Sequence, residues 1–209
     1  MFGKIIETIE DKTPNNLIMA MLATIKDYEL QKFISFILDS DEEILSTFEK
    51  SASSSGKYHP DVSNGKWGLL NHTALALLAF DTFEGFYRPQ GKIDDKGCDI
   101  CRTAIILHDA WKYQNLKGEV HPKHTTKEHG FVGATKIAEY YEEYEAKSEN
   151  LKSYVDAIVD SVRYHMSNWC HTYSEIEYAR KKTRLYERTV MICDFIASNK
   201  QLINFVKFQ

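Results

Sequence analysis

The chain has 209 residues, 43% of them hydrophobic and 27% charged, with a formal net charge of -4. That length corresponds to one domain, or one domain with a small appendage, and it can bury a core without disulfide staples. The composition is that of an ordinary soluble chain, and the mild negative charge lacks the electrostatic footprint of a nucleic-acid binder.

From the N-terminus, "MFGKIIETIEDKTPNN" reads as no secretory signal, because Lys4, Glu7 and Glu10 break its apolar run. Apolar spacing and capping residues then predict helices near 15–26, 28–39 and 41–50, the third with Ser40 as N-cap. The Ser-rich "SASSSGK" at 51–57 opens a loop that runs to about 66. A long apolar helix follows over 67–86, stopping at Arg88-Pro89, and another spans 95–110. After the polar loop "LKGEVHPKH", Thr125 and Glu128 have the spacing of a capping box, which predicts a helix over 126–146. Helices at 150–166 and 173–200 complete the set, and the apolar tail "LINFVKF" is expected to pack back on the body. Four Pro and ten Gly fall mostly between these segments. The expected fold is all-α: a single helical bundle over 51–209 with an N-terminal helical segment, 1–50, packed on it. The "LIMAMLATI" face of that segment would cover the core or pair with a second copy.

No apolar stretch is long enough to cross a membrane, so a cytoplasmic protein with reduced thiols is expected. Cys98 and Cys101 form a CxxC, but no second CxxC accompanies it. They read as core or surface thiols rather than a zinc or redox pair. The cluster Arg180, Lys181, Lys182 and Arg184 reads as a solvated helix face.

The informative residues are ionisable ones inside apolar helices. His72 lies in "LLNHTALALLAF", and His108-Asp109 follows "AIIL". His129 falls in the first turn of its helix. His165 shares a face with Ile158, and Asp194 lies in "VMICDFIA". One buried His or Asp has an ordinary explanation; six on five helices need a common one. Each buried carboxylate requires a cation, and neutral imidazoles require donors or a metal. A cluster of four His and two Asp meets both needs, with ligands suited to Zn, Fe, Mn or Ni.

The order His72, His108-Asp109, His129, His165, Asp194 resembles the HD superfamily of metal-dependent phosphohydrolases, whose defining pattern is H…HD…D. The two further histidines resemble its six-ligand, two-metal branch. "YHP…GKWGLLNHT", "HDAWK", "YHMSNW" and "CDFIASNK" are similar to segments of bacterial and phage HD proteins, so the likeness covers about 58–200. Lys66 and Ser167 stand where Gly is commoner in that pattern. His121 and His124 compete with His129 for the ligand position; His129 is preferred for its place at a helix start.

The resemblance implies two divalent transition metals, Mn or Fe first, with Ni, Co, Zn or Mg as alternatives. His72, His108, Asp109 and Asp194 would hold one, His129 and His165 the other, with Asp109 bridging and a water activated between them. Lys112, three residues beyond Asp109, would bind a phosphate oxygen. His59 would contact or protonate the leaving group, or else is a plain loop histidine; Lys57, Lys66 and Lys200 are further phosphate contacts. Tyr58, Trp67, Trp111, Tyr113, Tyr164 and Trp169 lie near the motifs and would pack in the core or stack on a base. The implied partner is a small phosphorylated substrate, a nucleotide, cyclic nucleotide or short oligonucleotide, in a bacterial cell or phage-infected host. A homo-oligomer is compatible with this. Two other readings share the ligands: a di-iron oxygenase, and a metal-stabilised nucleotide-binding module without turnover.

Overall fold

The computed structural model describes residues 14–53, 56–57, 59–121, 123–166 and 185–202. Tyr58, Ser167, Trp169, Cys170, the basic cluster at 180–184, the first part of the last predicted helix and most of the apolar tail lie outside them. The described helices are α1 (Pro14–Leu22), α2 (Tyr28–Ser40), α3 (Glu42–Phe48), α4 (Gly68–Tyr87), α5 (Asp95–Leu107), α6 (His129–Glu143), α7 (Glu149–Tyr164) and α8 (Leu185–Ala197). Two single-turn 3₁₀ segments, Asp61–Ser63 and Arg88–Gln90, flank α4. Among the described residues there is no strand, only an isolated bridge between Gln114 and Val120. The all-α expectation holds, and no described helix is long and apolar enough to cross a membrane.

Local chemistry sets the helix ends. Asp27, Asp94 and Ser148 cap α2, α5 and α7 by accepting the backbone N–H of Leu30, Gly97 and Leu151. The third helix is capped by Asp41 rather than Ser40. Ser40 is still helical in α2, while Asp41 is extended and accepts from the Glu43 N–H at 3.0 Å. The first helix stops at Leu22, short of 26, because the Thr24 hydroxyl turns back to the Met21 carbonyl and Asp99 of α5 captures the N–H groups of Lys26 and Asp27. The capping box at Thr125 and Glu128 does not form. Glu128 accepts instead from the Leu116 N–H, Thr126 turns to the Gln114 carbonyl, and α6 begins only at His129.

The core is built round α4 and α5, whose residues Leu69–Phe80 and Ile100–Leu107 are almost all buried. α8 packs on α4, α5 and α7, while α6 runs along α7. Residues 14–50 are tied in directly. α1 and α3 lie on α4, and α2 touches α6 and α7, with Phe33 edge-on to Tyr141 and Tyr144 and Phe36 edge-on to Tyr140. The Trp67 and Leu69 N–H groups donate to the carbonyls of Glu49 and Lys50. Gly68 is required there, since a Cβ would lie 2.4 Å from the Ser63 carbonyl oxygen. Cys98, Cys101 and Cys193 are buried free thiols, as expected of core cysteines.

Candidate metal centre

Five elements deliver six side chains to one point. His72 comes from the second turn of α4, and Asp194 from α8 packed against it. α5 ends at Leu107, so His108 and Asp109 stand on a run of turns at its C-terminus rather than inside a helix reaching 110. His129 opens α6 and His165 closes α7. These last two meet because residue 130 is glycine: a Cβ there would lie 2.9 Å from the Arg163 carbonyl oxygen and 3.1 Å from that of Val162.

The donor atoms fall into two groups, each with all members within 4.8 Å of one another: His72, His108, Asp109 and Asp194, and Asp109, His129 and His165. In the first, His72 Nε2 lies 3.0 Å from Asp194 Oδ1 and 3.4 Å from His108 Nε2, while His108 Nε2 lies 3.3 Å from Asp109 Oδ2. In the second, His129 Nε2 lies 3.0 Å from Asp109 Oδ1 and 3.2 Å from His165 Nε2. Asp109 therefore offers one oxygen to each group. Its side chain is 1% exposed, and Oδ1 has no hydrogen-bond partner among the described residues.

Three of the rings are held in one tautomer. His108, His129 and His165 each direct Nδ1 at the carbonyl three residues earlier, that of Ile105, Thr126 and Val162 respectively. In the neutral ring, an N–H at Nδ1 leaves Nε2 as the lone-pair atom facing the cluster. Ring nitrogens and carboxylate oxygens at 3.0–3.7 Å require positive charge between them, a proton on a ring such as His108 or a metal ion in its place. The donor set, four imidazoles and two carboxylates, fits one or two divalent transition metals.

Residues 91–198, more than half of the chain, match the HD domain family. The chain belongs to the HD domain family. Such domains are in general metal-dependent phosphohydrolases, and the His/Asp cluster accords with that chemistry. No curated protein and no solved structure shows a significant match. His72 lies before the matched residues, and the fold brings it to His108 and Asp194.

Around the cluster, the Lys112 ammonium lies 2.5 Å from Asp109 Oδ2, with the side chain 13% exposed. Lys112 reaches Asp109 across a turn, not along a helix as the sequence suggested. Burial opposes its charge, but Asp109 and Asp194 more than restore it and raise its pKa. Burial likewise opposes ionisation of Asp109 and Asp194, yet Lys112, His108 and His129 hold Asp109, and His108 and His72 hold Asp194, well below the usual carboxylate range. Burial lowers His72 and His165. It also weighs on His108, but Asp109 and Asp194 prevail and push that ring up to about 10.

His59 leans over the first group, its ring centroid 5.5 Å from that of His72 and its Nε2 3.2 Å from Ser198 Oγ. Burial, then His72 and Lys112, push it down to about 4, so at neutral pH it is an uncharged imidazole. Lys66 and Lys200 point elsewhere: Lys66 is exposed and paired with Glu49, and Lys200 is paired with Asp61. His121 and His124 are exposed, and it is His129 that joins the cluster. Trp111 and Tyr113 are core residues, while Trp67 packs half-buried against the core. No sequence motif assigns a role to Gly130, Thr126 or Ser198, and a glycine beside a cluster histidine is the one local signal among them.

Proposed function

We propose that this HD domain is a two-metal phosphohydrolase of the six-ligand type, acting on a phosphoester of a nucleotide, cyclic nucleotide or short oligonucleotide. The observation that carries the reading is the division of the Asp109 carboxylate, with Oδ2 turned to the His72–His108–Asp194 group and Oδ1 to His129 and His165. Mn and Fe are the metals proposed, both within what a mixed imidazole and carboxylate set accepts. A divalent pair held there supplies Lewis acidity and a water deprotonated near neutral pH.

The chain's own residues do the rest. His108, His129 and His165 are aimed by their backbone carbonyls. Lys112, hydrogen-bonded to Asp109 beside the cluster, is placed to take a phosphate oxygen and offset its charge as the ester breaks. His59, from the loop before α4, is placed over the first group as a neutral contact for substrate. Residues 51–209 form the phosphohydrolase body, and 1–50 an N-terminal segment packed on it. A cytoplasmic setting in a bacterium or phage-infected cell completes the proposal.

The deciding experiment supplies Mn to wild type and Asp109→Ala and follows hydrolysis of p-nitrophenyl phosphate and bis-p-nitrophenyl phosphate. Turnover by wild type, lost in the variant, is expected, and the diester result separates a phosphodiesterase from a nucleotidase. A variant that keeps both metal and rate refutes the reading. Substrate-dependent O₂ uptake by iron-loaded protein would establish an oxygenase in its place.

A further inference from the structure

The turns that carry Asp109 and Lys112 are stitched at both ends. On one side, the Thr126 N–H donates to the Lys112 carbonyl at 2.9 Å and the Thr126 hydroxyl to that of Gln114 at 2.7 Å. The Thr126 carbonyl in turn holds His129 Nδ1. On the other side the contact comes from far away in sequence and from outside the matched residues 91–198. Trp111, two residues after Asp109 and 1% exposed, donates its indole N–H to Asp41 Oδ2 at 2.9 Å.

The Asp41 carboxylate serves more than one neighbour. Oδ1 accepts from the Glu43 N–H and caps α3, Oδ2 takes the indole, and the Tyr140 hydroxyl of α6 also bonds to the carboxylate. The Trp111 ring is wedged against α6, where Gly133 leaves it room: a Cβ at 133 would lie 3.3 Å from the ring. A buried indole N–H without an acceptor is costly, so this ring sits correctly only with Asp41 beneath it. The backbone transmits the placement, because the Lys112 and Gln114 N–H groups donate to the carbonyls of Asp109 and Trp111 in consecutive turns.

We infer that Asp41 is a positioning residue of the metal centre, fixing the Asp109–Lys112 turn through the Trp111 indole. The inference rests on the metal-binding reading given above. It makes the N-terminal helices a functional part of the domain, since the acceptor that orients the ligand turn lies at the junction of α2 and α3.

The test measures Mn²⁺ affinity by calorimetric titration of the full chain, well below its melting temperature. Asp41→Ser keeps a capping hydroxyl for α3 but is too short to reach Trp111. Trp111→Phe removes the indole N–H and leaves an aromatic ring. Each is expected to weaken Mn²⁺ binding about tenfold, the loss usual for a partner that orients a metal ligand. The double variant is expected to bind no more weakly than either single one, because both substitutions break the same contact. Unchanged affinity in a folded Asp41→Ser, or losses that multiply in the double variant, overturn the positioning role and leave the metal centre standing. A wild type that takes up no divalent ion overturns the metal reading and this inference together; Asp109→Ala is the reference for lost binding.

Discussion

At the scale of single residues, the unusual feature is a lysine held against a carboxylate that also faces four histidines. Lys112 is nearly buried, yet its ammonium keeps its charge because Asp109 and Asp194 lie beside it. This arrangement separates two effects that a substitution can read independently. Lys112→Met removes a positive charge from beside the first metal position, so Mn²⁺ affinity should hold or rise. It also removes the group placed for the phosphate, so kcat/KM should fall roughly a hundredfold. Titration and steady-state kinetics on the same preparation check both; an unaltered kcat/KM would make Lys112 a structural counter-ion only. Residue chemistry also explains why Asp99, buried almost as deeply as Asp109, belongs to no metal group. Asp99 accepts the backbone N–H groups of Lys26 and Asp27, whereas Asp109 Oδ1 has no hydrogen-bond partner among the described residues.

At the scale of elements, the second group exists because the start of α6 can touch the end of α7. The contact is backbone against backbone at Gly130, so a methyl group has no flexible neighbour to displace. Gly130→Ala should force the two helix ends apart and separate His129 from His165, whose Nε2 atoms now lie 3.2 Å apart. Overpacking of this kind costs about 1–3 kcal/mol, a drop of several degrees in Tm for a chain of this size. The bound Mn²⁺ per chain should fall toward one, since the first group does not depend on this contact. Metal analysis after gel filtration would show it, and retention of the wild-type stoichiometry would deny the close approach its role.

At the scale of the whole molecule, the cluster makes metal-free stability depend on pH. Burial lowers His72 and His165 and pushes His59 down to about 4. The unfolded chain takes up these protons near 6.5. Between about 6.5 and about 4 the unfolded state thus binds more protons than the folded one, and stability falls as pH falls. Asp109 and Asp194, held well below the usual carboxylate range, extend the loss below about 4. His108, pushed up to about 10, acts in the other direction: its contribution is complete below about 6.5 and fades only as pH rises toward 10. Metal-free protein should therefore melt several degrees lower at pH 5 than at pH 7. Mn²⁺ should raise Tm at pH 7 and much less at pH 5, where protons compete for the imidazoles. A metal-free Tm that is flat or rises on acidification would contradict this electrostatic account.

The sequence by itself was sufficient for the helical class, the order of the helices and the six cluster residues. Apolar periodicity marks a buried face locally, and an ionisable residue on such a face stands out without any tertiary information, as His72 and His165 do. Helix ends were less legible where a side chain found a distant partner. Glu128 was drawn to Leu116 and Thr126 to Gln114, while Asp99 reached the α1–α2 junction across more than seventy positions. The tertiary structure alone decided that the six residues divide into two groups sharing Asp109, that Gly130 lets two of the rings meet, and that the Trp111 indole finds Asp41 seventy positions away. The physical reason is the same each time. Spacing along a chain fixes which face of a helix a residue occupies, but distances between helices depend on how their side chains and glycines pack, and that information is spread over the whole core.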